Sequence, residues 1–131
     1  MEFCINFLAI IRKIATKLHL TPSQIFCIYA IPFSGISQSD LAKKLSIDIS
    51  TLSRNLEKLI TLNIITKQSS LLDRRSYKIS LTTKGVELYD NFNLTIKNKL
   101  NSTYNKLELD EYDQFEEILN KLNWQLELIN K

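Results

Sequence analysis

Residues Ile36 to Thr82 read as a helix, a short turn, a second helix and then a two-stranded hairpin, an order that leaves few folds open. Ser37 stands where it can cap a helix over Gln38 to Leu45, with Leu41, Ala42 and Leu45 spaced to face inward. Ser46-Ile47 make a tight turn, and Asp48 caps the next helix, whose Leu52, Leu56, Leu59 and Leu62 share one face. The spacing from Gln38 through Ala42 to Leu52 fits two helices packed across that turn. The small residue lets the first helix approach, and the apolar residue on the second locks the angle. Ser46 stands where glycine is commonest in such a turn. Ile64 to Gln68 and Tyr77 to Leu81 are β-prone, with Ile79 and Leu81 alternating with Lys78 and Ser80. The stretch between them, Ser69 to Ser76, is too long for a two-residue turn; it is a wing whose tip carries Asp73-Arg74-Arg75.

Helices flank this block. Glu2 to Leu18 spaces Phe3, Phe7, Ile10, Ile14 and Leu18 at helical intervals. Thr21-Pro22-Ser23-Gln24 is a second start signal: Thr21 caps, Pro22 suits the first helical position and Gln24 closes a capping box. Leu20 and Ile25 stand where a hydrophobic staple would, and the helix ends near Ile31, ahead of Pro32 and Gly35. After the hairpin, Thr82 or Thr83 caps a long helix to about Lys106, with Val86, Tyr89, Ile96, Leu100 and Leu107 as its stripe. A last helix opens at Leu109-Asp110 and runs to about Asn130, with Phe115, Ile118, Leu119, Leu122, Leu126 and Ile129 as its stripe. The expected fold class is mainly α (α+β): a winged helix-turn-helix over 20–82 within a single domain, with helices at 1–18 and 83–131 forming a helical dimerisation layer.

Charge narrows the partner. The net charge of +3 is unevenly spread. Residues 40–78 carry eight basic against four acidic side chains, +4, while residues 79–131 carry six against nine, −3. A positive field on the hairpin block would orient the molecule toward a polyanion. A helix suited to the major groove, followed by a basic tip suited to a minor groove or phosphate backbone, makes double-stranded DNA the expected partner. The reading residues would lie off the apolar stripe in the N-terminal turns of the second helix: Ser50, Thr51, Ser53, Arg54 and Asn55, with Lys58 further along. Arg54 can bond guanine O6 and N7 together. At the wing, Arg74 or Arg75 could enter a narrow minor groove, with Asp73 holding an arginine fork by a charge-assisted bond.

Other classes fit less well. One histidine, no glycine-rich phosphate loop and no Cys/His pairing at metal-ligand spacing argue against an enzyme, a cofactor or a metal site. No apolar run approaches the roughly 18–20 residues that span a bilayer. The apolar N-terminus is interrupted by Arg12, Lys13 and Lys17, so no secretory signal is expected. Two isolated cysteines suit a reducing cytoplasm.

The run Leu20-Thr21-Pro22-Ser23-Gln24, then Gln38-Ser39-Asp40-Leu41-Ala42, then Ser50-Thr51-Leu52-Ser53-Arg54 resembles the MarR family of transcription regulators. So does Asp73-Arg74-Arg75 set five residues before Leu81-Thr82 and followed by Lys84-Gly85. The resemblance covers about residues 20–90. It implies a homodimer, built from the first and last two helices, that acts on a pseudo-palindromic operator, more often as a repressor. Carried over by position, Arg75 matches the wing arginine, Asp73 its partner, and Ser50 to Arg54 the reading turns. The first helix is shorter than the family's usual one. The family's peroxide-sensing branch places its cysteine further from the second helix than Cys4 and adds tyrosines absent from the first helix here. Small apolar packing is expected of Cys4 and Cys27.

Apolar stripes at both ends of the chain call for a second surface to bury them, and a two-fold dimer supplies one. Trp124 supports this, since it lies off the last helix's stripe beside Asp113, Glu117 and Asn120. By resemblance, a small aromatic or anionic ligand would bind between dimer layer and winged helix, where Arg12, His19, Tyr29 and Phe33 could border it. The competing role is a winged helix that coats DNA or binds protein without responding to a ligand. Affinity for DNA would then be set mainly by salt.

Overall fold

The computed structural model describes residues 1–69, 77–104 and 109–129. In chain order the elements are α1 (Glu2–Lys17), α2 (Pro22–Ala30), β1 (Ile36–Ser37), α3 (Gln38–Leu45), α4 (Ile49–Thr61), β2 (Ile65–Ser69), β3 (Tyr77–Leu81), α5 (Thr83–Tyr104) and α6 (Leu109–Ile129). The fold is mainly α, with one small antiparallel sheet of order β1-β3-β2. The chain divides into two compact units, Met1–Phe92 and Asn93–Lys131.

Local signals place the helices. At α2 the Thr21 hydroxyl accepts from the Gln24 N–H at 3.2 Å, and the Gln24 side chain accepts from the Thr21 N–H at 2.9 Å. Leu20 and Ile25, the staple pair, are both buried. Ser37 caps α3 by accepting from the Asp40 N–H at 3.1 Å. Thr82, not Thr83, caps α5: its hydroxyl accepts from the Gly85 N–H at 3.0 Å.

The first unit's core draws on every element of the helix-turn-helix. Leu41, Leu52, Leu59, Ile28 and Ile79 are fully buried, and Ala42 is nearly so. The chain leaves α3 through Ser46 at φ 52°, where a side chain rather than glycine costs about 1–2 kcal/mol. The N–H of Ile47 then bonds the Ala42 carbonyl at 3.1 Å, closing the turn on the small residue that admits α4. Gly85 explains its own identity, because a Cβ there would collide with the Ile64 carbonyl oxygen. Lys84 completes this joint, its Nζ bonding the Leu62 carbonyl at 2.8 Å beyond the C-terminus of α4. Gly35, at φ 81°, lies against β3, where a Cβ would stand 2.6 Å from the Ser80 Oγ.

Three expectations change. The first-helix stripe shifts: Ile11, Ile14 and Ala15 are buried, whereas Phe3 is 66% exposed and Leu18 is exposed too. Phe3 and Phe7 stack on each other instead, ring centroids 6.0 Å apart. In α5 the buried ring is Phe92, outside the expected stripe; Val86, Tyr89, Ile96 and Leu100 are half-buried, and Leu107 lies outside the described residues. Strand β1 was not anticipated, since two residues carry no alternation; it pairs Ile36 with Ile79 and Ser37 with Lys78.

Candidate nucleic-acid interface

Helix α4 turns Leu52, Leu56 and Leu59 inward. Its outward face begins at Asp48, whose carboxylate does more than cap. It accepts from the Thr51 N–H at 2.8 Å, from the Ser50 hydroxyl at 2.5 Å and from the Thr51 hydroxyl at 2.7 Å. The Ser50 hydroxyl, then the Thr51 hydroxyl and N–H, hold the Asp48 carboxyl well below the usual carboxylate range. Both hydroxyl protons thus point at Asp48, leaving lone pairs outward. A phosphate offers only acceptors, so neither hydroxyl can serve one while it is clamped; each can accept from a base amino group.

Ser53 has a different part. Its hydroxyl donates to the Ile49 carbonyl at 2.8 Å and accepts from the Gln38 side-chain amide at 2.8 Å, so it joins α3 to α4. Asn55 is half-buried. Arg54 and Lys58 are exposed and unpaired among the described residues, four apart on one face. The structure thus brings the six α4 candidates onto one helix with unequal roles: two open cations, two clamped hydroxyls, one interhelical joint and one half-buried amide. Ile49, 57% exposed at the start of the same helix, was not anticipated.

Strands β2 and β3 form the base of the wing. Their register sets Lys67 opposite Ile79 and Ser69 opposite Tyr77, which makes Lys67 and Tyr77 diagonal neighbours. The Lys67 ammonium stands 4.2 Å from the centre of the Tyr77 ring, a cation–π contact. Lys67 and Lys78 are both exposed, adding two cations beyond those expected from the sequence. The alternation that marks Lys78 as outward-facing was the available signal. Asp73, Arg74 and Arg75 lie outside the described residues.

The sequence profile of the MarR family matches residues 20–77, from the residue before Thr21 through the start of β3. Solved structures match over nearly the whole chain. A MarR protein from Peptoclostridium difficile superposes with a TM-score of 0.79 at 20% identity, over 98% of this chain and 85% of that one. The wild-type MarR of E. coli, in its apo form, gives 0.76 at 22% identity, over 93% and 95%. MepR of S. aureus, solved as a DNA complex, gives 0.71 at 23% identity, over 95% and 93%. The chain has the fold of these MarR proteins, and its residues 20–77 carry the MarR-family sequence pattern. No curated protein sequence matches it.

In this chain the four ligand candidates separate. Tyr29 and Phe33 come together around Tyr89. The Tyr29 ring lies 4.5 Å from Tyr89 and 5.4 Å from Phe92, and the Phe33 ring lies 5.8 Å edge-on to Tyr89. The Tyr29 hydroxyl donates to the Tyr89 carbonyl at 3.3 Å; burial, then Tyr89 and Asp90, push its ionisation far above the usual phenol range. Arg12 and His19 are exposed on α1 and on the turn after it, and neither belongs to that ring cluster. The cysteines also separate. Cys27 is fully buried as expected, and burial pushes its thiol up to about 11. Cys4 is exposed, so small-residue packing does not describe it, because the N-terminal half of α1 lies off the core.

Among the described residues, no three His, Cys, Asp or Glu side chains gather to hold a metal ion, and no helix is long and apolar enough to cross a membrane.

Proposed function

We propose that this protein is a MarR-family, sequence-specific DNA-binding regulator of transcription, acting in the cytoplasm as a homodimer on a pseudo-palindromic operator and repressing from it. The observation that carries the reading is the outward face of α4. It is a locally capped helix that holds Arg54 and Lys58 open beside hydroxyls turned to accept. Arg54 reads a guanine edge and Lys58 grips phosphate. Residues 20–82 make the DNA contacts, the wing adding Arg74 and Arg75 aimed by Asp73. The match to a relative solved on DNA, MepR of S. aureus, supports this use of the fold.

Dimerisation rests on exposed apolar side chains. Helix α6 leaves Ile118, Leu119, Leu122 and Leu126 open, and α1 leaves Phe3, Ile5 and Leu8 open. Monomers seldom carry contiguous apolar surface of this kind. Residues 1–18 and 83–131 therefore form the dimer layer. The ring cluster of Tyr29, Phe33 and Tyr89, with Phe33 71% exposed, supports release by a small aromatic or anionic ligand.

Titration of operator DNA with wild type and Arg54→Ala tests the reading. The variant should lose about 1–3 kcal/mol and relax one base position per half-site. Equal binding by both would remove α4 from the interface.

A further inference from the structure

We propose that Ile49 is a specificity residue that reads the C5-methyl group of a thymine in the major groove; this rests on the DNA-binding reading of α4 given above. By spacing, Ile49 continues the row of Leu52, Leu56 and Leu59, yet those three are buried and Ile49 is 57% exposed. The row runs out of the core at the N-terminal end of α4. The fold therefore draws little from this large aliphatic side chain.

Its surroundings say what it meets. Ile49 is the first residue of α4, next to Ser50 and Thr51 and ahead of Arg54. The N-terminal turns of a recognition helix are the part that meets base edges. Asp48 holds that turn by three hydrogen bonds, so Ile49 is presented from a fixed backbone. The ionised Asp48 carboxylate also disfavours a nearby phosphate, and the clamped hydroxyls have no proton to offer one. This turn is thus suited to bases rather than to the sugar-phosphate backbone. Among base edges in the major groove, the thymine methyl is the apolar feature, and apolar side chains read it by contact. Ser50 and Thr51, presenting lone pairs, suit the amino group of an adjacent adenine or cytosine.

The test uses the full chain and the operator that wild type selects from random DNA. Each thymine is replaced in turn by deoxyuridine, which removes only the C5-methyl. For wild type, one position per half-site should lose about fourfold in affinity, the worth of one buried methyl-sized group. Ile49→Ala should bind the parent operator more weakly and show no loss at that position. Ile49→Val should fall between the two. Sedimentation should show all three proteins assembling alike. If every thymine replacement affects wild type and Ile49→Ala equally, or if Ile49→Ala changes assembly rather than base preference, the inference is overturned while DNA binding stands. If wild type selects no sequence at all, the reading beneath it fails as well.

Discussion

Helix α4 buries Leu52, Leu56 and Leu59 and exposes Ser50, Thr51, Arg54 and Lys58, whereas α6 exposes Ile118, Leu119, Leu122 and Leu126. Both helices have a leucine row at helical spacing. In α4 the row is covered by the chain's own α2, α3 and sheet; in α6 it is open. The same pattern therefore serves folding in one helix and, in our proposal, assembly in the other. The open polar face of α4 suits a polyanion, and the open apolar face of α6 suits a second copy.

Leucine substitutions should break this contrast most visibly. Leu56→Ala, in the core, should destabilise the first unit by about 2–5 kcal/mol in urea or thermal unfolding. The paired change Leu122→Glu and Leu126→Glu should leave that unfolding nearly unmoved. It should instead weaken self-association by at least about two orders of magnitude, given about 1.5–3 kcal/mol per buried leucine, as read by sedimentation. If the double variant unfolded the first unit, or if wild type sedimented as a monomer, the assignment of α6 to assembly would be wrong.

The head of α4 allows a finer test. Asp48's carboxyl is held below its ordinary range by bonds made only in the fold. A depressed carboxyl contributes stability that is fully present above the unfolded pKa, about 3.9, and is lost as pH falls through the lower folded value. Wild type should therefore exceed Asp48→Ala in stability at pH 5, and the gap should close as pH drops below about 4. A gap that stayed constant down to pH 2 would mean that ionisation of Asp48 is not coupled to folding.

Thiol chemistry gives the smallest effect. At pH 8 an aromatic disulfide reagent should modify Cys4 promptly and Cys27 only on unfolding, since Cys27 is buried with its thiol pushed up to about 11. Rapid reaction of Cys27 in the native protein would show that the α2 core opens readily.

Much of the frame was legible because it rests on local chemistry. Thr21 with Gln24, Ser37 and Asp48 are caps whose partners lie two or three residues away, so the helix starts followed directly. The leucine row of α4 was equally plain. What escaped depends on distant parts of the chain. Periodicity placed Phe3 and Phe7 on α1's stripe, but only the C-terminal half of that helix meets the core. Phe92 is buried through its ring contact with Tyr29, far away in sequence. At the candidate site, listing polar residues on a helix face identified Ser50, Thr51, Ser53 and Arg54 without distinguishing them. Their division into clamped, joining and open groups required the Asp48 and Gln38 side chains in place. Lys67 gained meaning only from the strand register that brings it over Tyr77. The wing arginines, Arg74 and Arg75, rest on sequence alone.

In our proposal the contrast between the two helices has one joint consequence: a polar reading face on each of two subunits held by an apolar layer. Selecting bound DNA from a random pool with the wild-type protein tests both halves together. A homodimeric reader should enrich a single motif with two-fold symmetry and half-sites about 10 bp apart, one helical turn. A pool that stayed random while binding varied only with salt would contradict that reading.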